Sequence, residues 1–459
     1  MKKALVLILV AVNLHTDTLI PPKAATIDIT IYNNDLAFIH EKREADIKKG
    51  IYKLIYEGIP SKIITQSVVP SFSDKSILLF SQSYIYNLIS LTSLLDKSID
   101  KNVTFYTNSQ KPLRRSGTLL SATPYVIVKD DNDGKIYTLN SPTQVVFEKI
   151  PPSMITKPSL IWHIKSQKNT KISVDLKYLS RGISWKSDYV LNMKKKLLDL
   201  TGWITIVNNS GAAYKNASIN CVAGELHSAP RRQRYDKRYR LEAVALDSAQ
   251  VKEEPFAGYH LYKIPFKETI SQKEQKQILF IDKKDIKYTS YAKALNSHFE
   301  NYGTQKLVFE NIVTFKNDKK NSLGIALPSG TIRMYKKDKN DNIRYIAEDY
   351  LPNTPANEKV TLTIGVLFDV TGEKKITKFI SNKNRKNVET TYSVRNRSKL
   401  PQILKIQERI PVYADKITLK SDCKDICEEK KESAFIREFT ISLKPKQQYD
   451  FTSEFEVIY

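Results

Sequence analysis

Hydrophobic and polar residues alternate along most of this chain. Ile27, Ile29 and Ile31 alternate with Asp28 and Thr30, and Ile172, Val174, Leu176 and Tyr178 alternate with Ser173, Asp175 and Lys177. Leu362, Ile364, Val366 and Phe368 repeat the pattern, as do Phe439, Ile441 and Leu443. Successive side chains of a strand point to opposite faces, so a period of two turns one apolar face inward. Clusters of Asn, Asp and Gly separate these runs at 33–35, 131–134, 208–211 and 338–342, supplying the backbone conformations that tight connections need. Only residues 87–96 carry a helical spacing, with Leu88, Leu91 and Leu95 three and four apart behind Asn87 as a cap. The pattern predicts a mainly β protein: two or three antiparallel β-sandwich domains with one or two short helices. No internal repeat is legible.

Two stretches interrupt the alternation. The first, from Pro151 and Pro152 to Pro158, is stiff and patternless and reads as a domain boundary. The second runs from Ala229 to Glu254. The expected layout is therefore an N-terminal β domain at 26–150 and a second β domain opening at 151–228. An insertion follows at 229–255, and the remainder fills 256–459, with room for a separate C-terminal sandwich.

The start of the chain has a different character. Lys2 and Lys3 precede an apolar run over 4–14 that only Asn13 interrupts. A basic segment followed by a short apolar one is the form of a secretory signal; a membrane-spanning helix needs about 20 apolar residues. Processing near Ala25 is expected, which starts the mature protein at Thr26 and sends it to the periplasm or cell surface.

Charge changes the picture less than its size implies. Lys and Arg number 73 against 49 Asp and Glu, for a net charge of +24. Abundant Lys, Asn and Ile and a low Gly count of 14 point to compositional drift at tolerant surface positions as much as to a functional surface. For an exported protein, a protein or an anionic envelope polymer is the expected partner, with peripheral membrane association as a further option; nucleic acid is not. Within the insertion, Arg231, Arg232, Arg234, Lys237, Arg238 and Arg240 form a dense basic run beside Tyr235 and Tyr239. It reads either as an anion-binding arm, with the tyrosines available for stacking, or as a solvated loop between two strands. Cys423 and Cys427 lie in the charged stretch SDCKDICEEKKE. A small disulfide, two free thiols and a metal site are all open there, the last short of ligands. Cys221 sits in an apolar run as a packing thiol.

Chemical motifs offer little. The chain holds no phosphate-cradling glycine loop, no paired-histidine zinc motif and no nucleophile elbow, and its six His are scattered singly. Neither a catalytic group nor a cofactor is expected. Glu348 and Asp349 are adjacent, but neighbours in a strand face opposite ways. The last strand aligns Phe451, Phe455, Val457 and Tyr459 on one face, an ending shared with outer-membrane barrels.

The stretch VDLKYLSRGISWKSDYVLN from 174, followed by LTGWITIVNNSGAAYKNASINCVAGEL to 226, resembles the signature of the domain-of-unknown-function 4139 family of exported bacterial proteins. Trp185, Trp203, Asn209, Gly211, Tyr214 and Gly224 lie in it, and LGIALPSGTIRMY at 323–335 adds Pro328 and Gly330. Residues 32–60 resemble the opening of the same family. The positions have structural readings: Trp185 and Trp203 as core anchors, Asn209 and Gly211 as a turn, and Pro328 with Gly330 as another. The expectation is a non-enzymatic β-sandwich protein of the cell envelope that binds or supports other components. An envelope hydrolase with an inter-domain site and an outer-membrane barrel are the alternatives.

Overall fold

The computed structural model describes residues 18–86, 90–148, 157–224, 252–256, 258–296, 303–410 and 415–459. Most of these residues lie in strands, and Leu91–Asp96 is the single α-helix among them. No helix among the described residues is long and apolar enough to cross a membrane. Among the described residues the strands form five sheets, each an open strand order, and the fold is mainly β and sandwich-like, as the alternation requires. The chain divides into two compact units, one built from 1–185, 206–236 and 261–276, the other from 186–205, 237–260 and 277–459.

In the first unit, Leu36–Ile47 pairs antiparallel with Thr26–Tyr32 on one side and Thr170–Ser180 on the other. A second sheet pairs Ser159–Ser166 with Gly50–Glu57 and Leu78–Ile85. Strands from both sides of the 151–158 break thus share both sheets; 151–156 lie outside the described residues. Trp162 is fully buried, its ring 5.2 Å from Tyr56 and 5.9 Å from Phe72, so one large side chain joins the two sheets. Residues 90–148 carry a smaller core of their own, in which Leu95 of the helix packs with Val103, Phe105, Leu119 and Val128. The helix starts later than the leucine spacing predicts. Ser90 caps it, its Oγ accepting from the Ser93 N–H while Ser93 Oγ accepts from the Ser90 N–H, a reciprocal pairing that satisfies two otherwise orphaned donors. Asn87 and Leu88 lie outside the described residues.

In the second unit, a ten-stranded sheet contains Glu274–Asn296, Gln402–Arg409 and Ile436–Leu443, and a five-stranded sheet contains Gly303–Leu307, Val370–Asn382, Arg385–Asn396 and Gln448–Ile458. Ala292, Ile376, Tyr392, Leu404, Ile406, Phe439, Phe451 and Phe455 belong to one shared core. The aromatic face of the C-terminal strand, which in a membrane barrel would meet lipid, is turned into this core.

The structure contains a repeat that the sequence hides. Asn208 Nδ2 donates to the carbonyls of Ala212, Ile270 and Ser271, and its Oδ1 accepts from the N–H and Oγ of Ser210. Asn396 Nδ2 donates to the carbonyls of Leu400, Leu443 and Lys444, and its Oδ1 accepts from the N–H and Oγ of Ser398. Each Asn ends one long strand (Leu197–Asn208, Arg385–Asn396), and each corner leads into the next (Tyr214–Ala223, Gln402–Arg409). The same buried amide therefore locks the same corner twice, once in each unit. Only Asn-x-Ser is shared between the two sequences here, which is too short to signal a duplication.

Candidate functional site

Most signature residues hold backbone in place. Trp185 is buried, its Nε1 donating to the Val222 carbonyl at 3.1 Å and its ring 5.9 Å from Tyr262. Trp203 is only half-buried, because it shares its strand with buried Ile204 and Ile206 but points the other way; it is not the core anchor its size implies. Asn209 is exposed, and its N–H donates to the Gly182 carbonyl at 2.5 Å. The amide that organises the turn belongs to Asn208, one residue earlier. Gly211 has φ +96°, and a Cβ there would lie 2.0 Å from Ser61 Oγ, so both backbone and space demand glycine. Tyr214 is buried with its hydroxyl 3.3 Å from Ser210 Oγ. Gly224, also at positive φ, is the last described residue before 225–251. The Pro328 carbonyl accepts from Tyr189 OH at 2.6 Å and from Ser187 Oγ at 3.1 Å. Gly330 runs so close to Ser187 that a Cβ would meet its carbonyl at 2.1 Å.

The other sequence candidates divide. Arg231, Arg232, Arg234, Lys237, Arg238 and Arg240 lie outside the described residues. Cys423 and Cys427 form a disulfide, with Sγ atoms 2.05 Å apart. Cys221 is a buried free thiol whose pKa burial pushes up. Glu348 pairs with Arg333 at 2.8 Å, and Asp349 accepts from the Thr363 N–H at 2.7 Å, so both acids tie neighbouring strands.

Two features of the second unit lie beyond the alternation. The first is a groove of about 370 Å³ lined by Leu307, Val308, Phe309, Val366 and Val370, with Lys306, Arg395 and Arg397 among its polar groups. Gly303–Leu307, an end strand of the five-stranded sheet, forms one wall. Of the lining residues, Val308 is 58% and Val366 66% exposed, an unusual solvent exposure for apolar side chains lining one groove. A concave apolar surface with a few charged groups is the usual form of a binding site.

The second is a buried polar cluster. Lys374 Nζ lies 2.7 Å from Glu408 Oε2, with side-chain exposures of 2% and 0%. Asn296 Nδ2 donates to the other oxygen, Oε1, at 3.1 Å. Asn296 and Glu408 are register partners on parallel neighbouring strands, while Lys374 comes from the five-stranded sheet. Lys374 Nζ lies 6.0 Å from the centre of the Tyr392 ring, which itself stacks on Phe451 at 4.6 Å. Burial pushes the Glu408 acid up, against the pull of Lys374 and Asn296. Sequence reasoning passed over these residues, yet a signal exists. Asn296 follows Ala292 and Ala294, Glu408 follows Leu404 and Ile406, and Lys374 precedes Ile376, each at the inward parity of its strand.

A family model described as a domain of unknown function (DUF4139) matches residues 174–459. It takes in both corners, the groove and the buried cluster, and leaves out the similar-looking stretch at 32–60. No curated protein matches the chain.

Proposed function

The chain belongs to the domain-of-unknown-function 4139 family, and from that premise we propose that it is an exported, non-enzymatic binding or structural module of the bacterial cell envelope. One observation carries the binding part: the groove of the second unit, where exposed Val308 and Val366 line the same surface as Arg395 and Arg397. This surface suits a protein segment that offers an apolar side chain next to an acidic one. The apolar groups supply area removed from water, and the guanidinium groups select a carboxylate by paired hydrogen bonds. Support for export comes from the basic and then apolar residues at 2–14. Residues 1–17 lie outside the described residues.

Sedimentation of purified mature protein with isolated envelopes tests the reading. Saturable retention should fall at least tenfold for Val366→Ser combined with Arg395→Glu. Equal retention of the variant and the unchanged protein would rule the groove out as the binding surface.

A further inference from the structure

We propose that Lys374 and Asn296 form an intramolecular amide cross-link, with Glu408 as the proton carrier. The case rests on how the three groups are held. One carboxylate binds both reactants, the amine at one oxygen and the carboxamide at the other. A residue register fixes Asn296 beside Glu408, and sheet-to-sheet packing brings Lys374 to them from the opposite side. Two reactants fastened to one carboxylate need no bimolecular encounter to meet.

The surroundings favour the reaction over the ion pair. Enclosed charges lose the hydration that stabilises them, and desolvation is a known route to a nucleophilic lysine. Burial also favours a protonated Glu408, so the carboxylate is able to take the proton of the Lys374 ammonium. The neutral amine then attacks Asn296 Cγ. Glu408, now an acid, faces Nδ2 through Oε1 and gives its proton to that nitrogen as the tetrahedral centre collapses. The Nζ–Cγ bond forms, the Cγ–Nδ2 bond breaks, Nδ2 leaves as ammonia with the proton from Glu408, and the carboxylate takes the second proton that Nζ sheds in becoming an amide nitrogen. No oxidant, reductant or metal enters, and two buried charges are replaced by one neutral amide and one neutral acid. The product ties the five-stranded sheet to the ten-stranded sheet across their shared core. A cross-link between positions so far apart in sequence constrains the unfolded chain strongly.

Intact-mass spectrometry of the purified full mature chain, followed by tryptic mapping, tests the proposal. The expected mass is lower by one ammonia than the disulfide-bonded sequence, with a branched peptide containing both Lys374 and Asn296. Lys374→Arg keeps the charge facing Glu408 but supplies no reactive amine, and Glu408→Gln removes the proton carrier. Both variants should show the full mass, no branched peptide and a lower melting temperature. Unbranched peptides from cooperatively melting, unchanged protein would overturn the cross-link, without reference to whether either variant folds. A branched peptide persisting in Glu408→Gln would overturn the role given to Glu408.

Discussion

Individual residues show how this chain hides polar groups where its alternation predicts apolar ones. The strand Leu36–Ile47 turns Ala37, Ile39, Ala45 and Ile47 inward, and Glu41 and Arg43 share that face, 4% and 3% exposed. They pair at 3.1 Å, Tyr178 OH donates to Glu41, and the Arg43 guanidinium lies 3.8 Å over the Tyr56 ring while donating to the Glu57 carbonyl. A buried pair contributes little over apolar replacements, but removing one partner strands the other charge. Arg43→Met should therefore destabilise the first unit by about 3–5 kcal/mol, read as a lower urea midpoint. A loss under about 1 kcal/mol would show that Glu41 finds water or another partner. The burial of Glu41 and Arg43 was not legible, because parity alone does not say which charged residues find partners inside.

Among the elements, the strands and turns were the most readable part of the sequence. Apolar runs at 27–31, 172–178 and 439–443 all fall within strands, since period-two patterning is a direct record of a half-buried pleat. What alternation does not encode is pairing between distant segments, which is why the corner shared by Asn208 and Asn396 escaped notice. Each amide there satisfies carbonyls from two connections at once, a buried hub whose loss leaves several acceptors unpaired. Asn396→Ala should cost about 2–3 kcal/mol and loosen the corner at Leu400 and Lys444. Hydrogen exchange would report this as faster exchange around both loops. Unchanged protection would mean that the strands alone hold the corner.

For the whole molecule, fold class was legible and function much less so. Family membership rests on motif residues that mainly shape backbone: Gly211 and Gly330 for close approach, Pro328 for its carbonyl, Asn208 for its amide. The groove left no trace in the sequence, because Lys306, Val366 and Arg395 come from separate strands and meet only through pairing. The proposal that this groove holds an envelope partner is tested most directly by photo-crosslinking in intact cells from a probe at position 366, 66% exposed. The account predicts a discrete, saturable adduct on exported protein, lost when Arg395→Glu is added, and none from a probe at equally solvent-facing Tyr125, 65% exposed in the first unit. Equal labelling from both positions, or recovery of the protein inside the cell with residues 1–25 still attached, would contradict it.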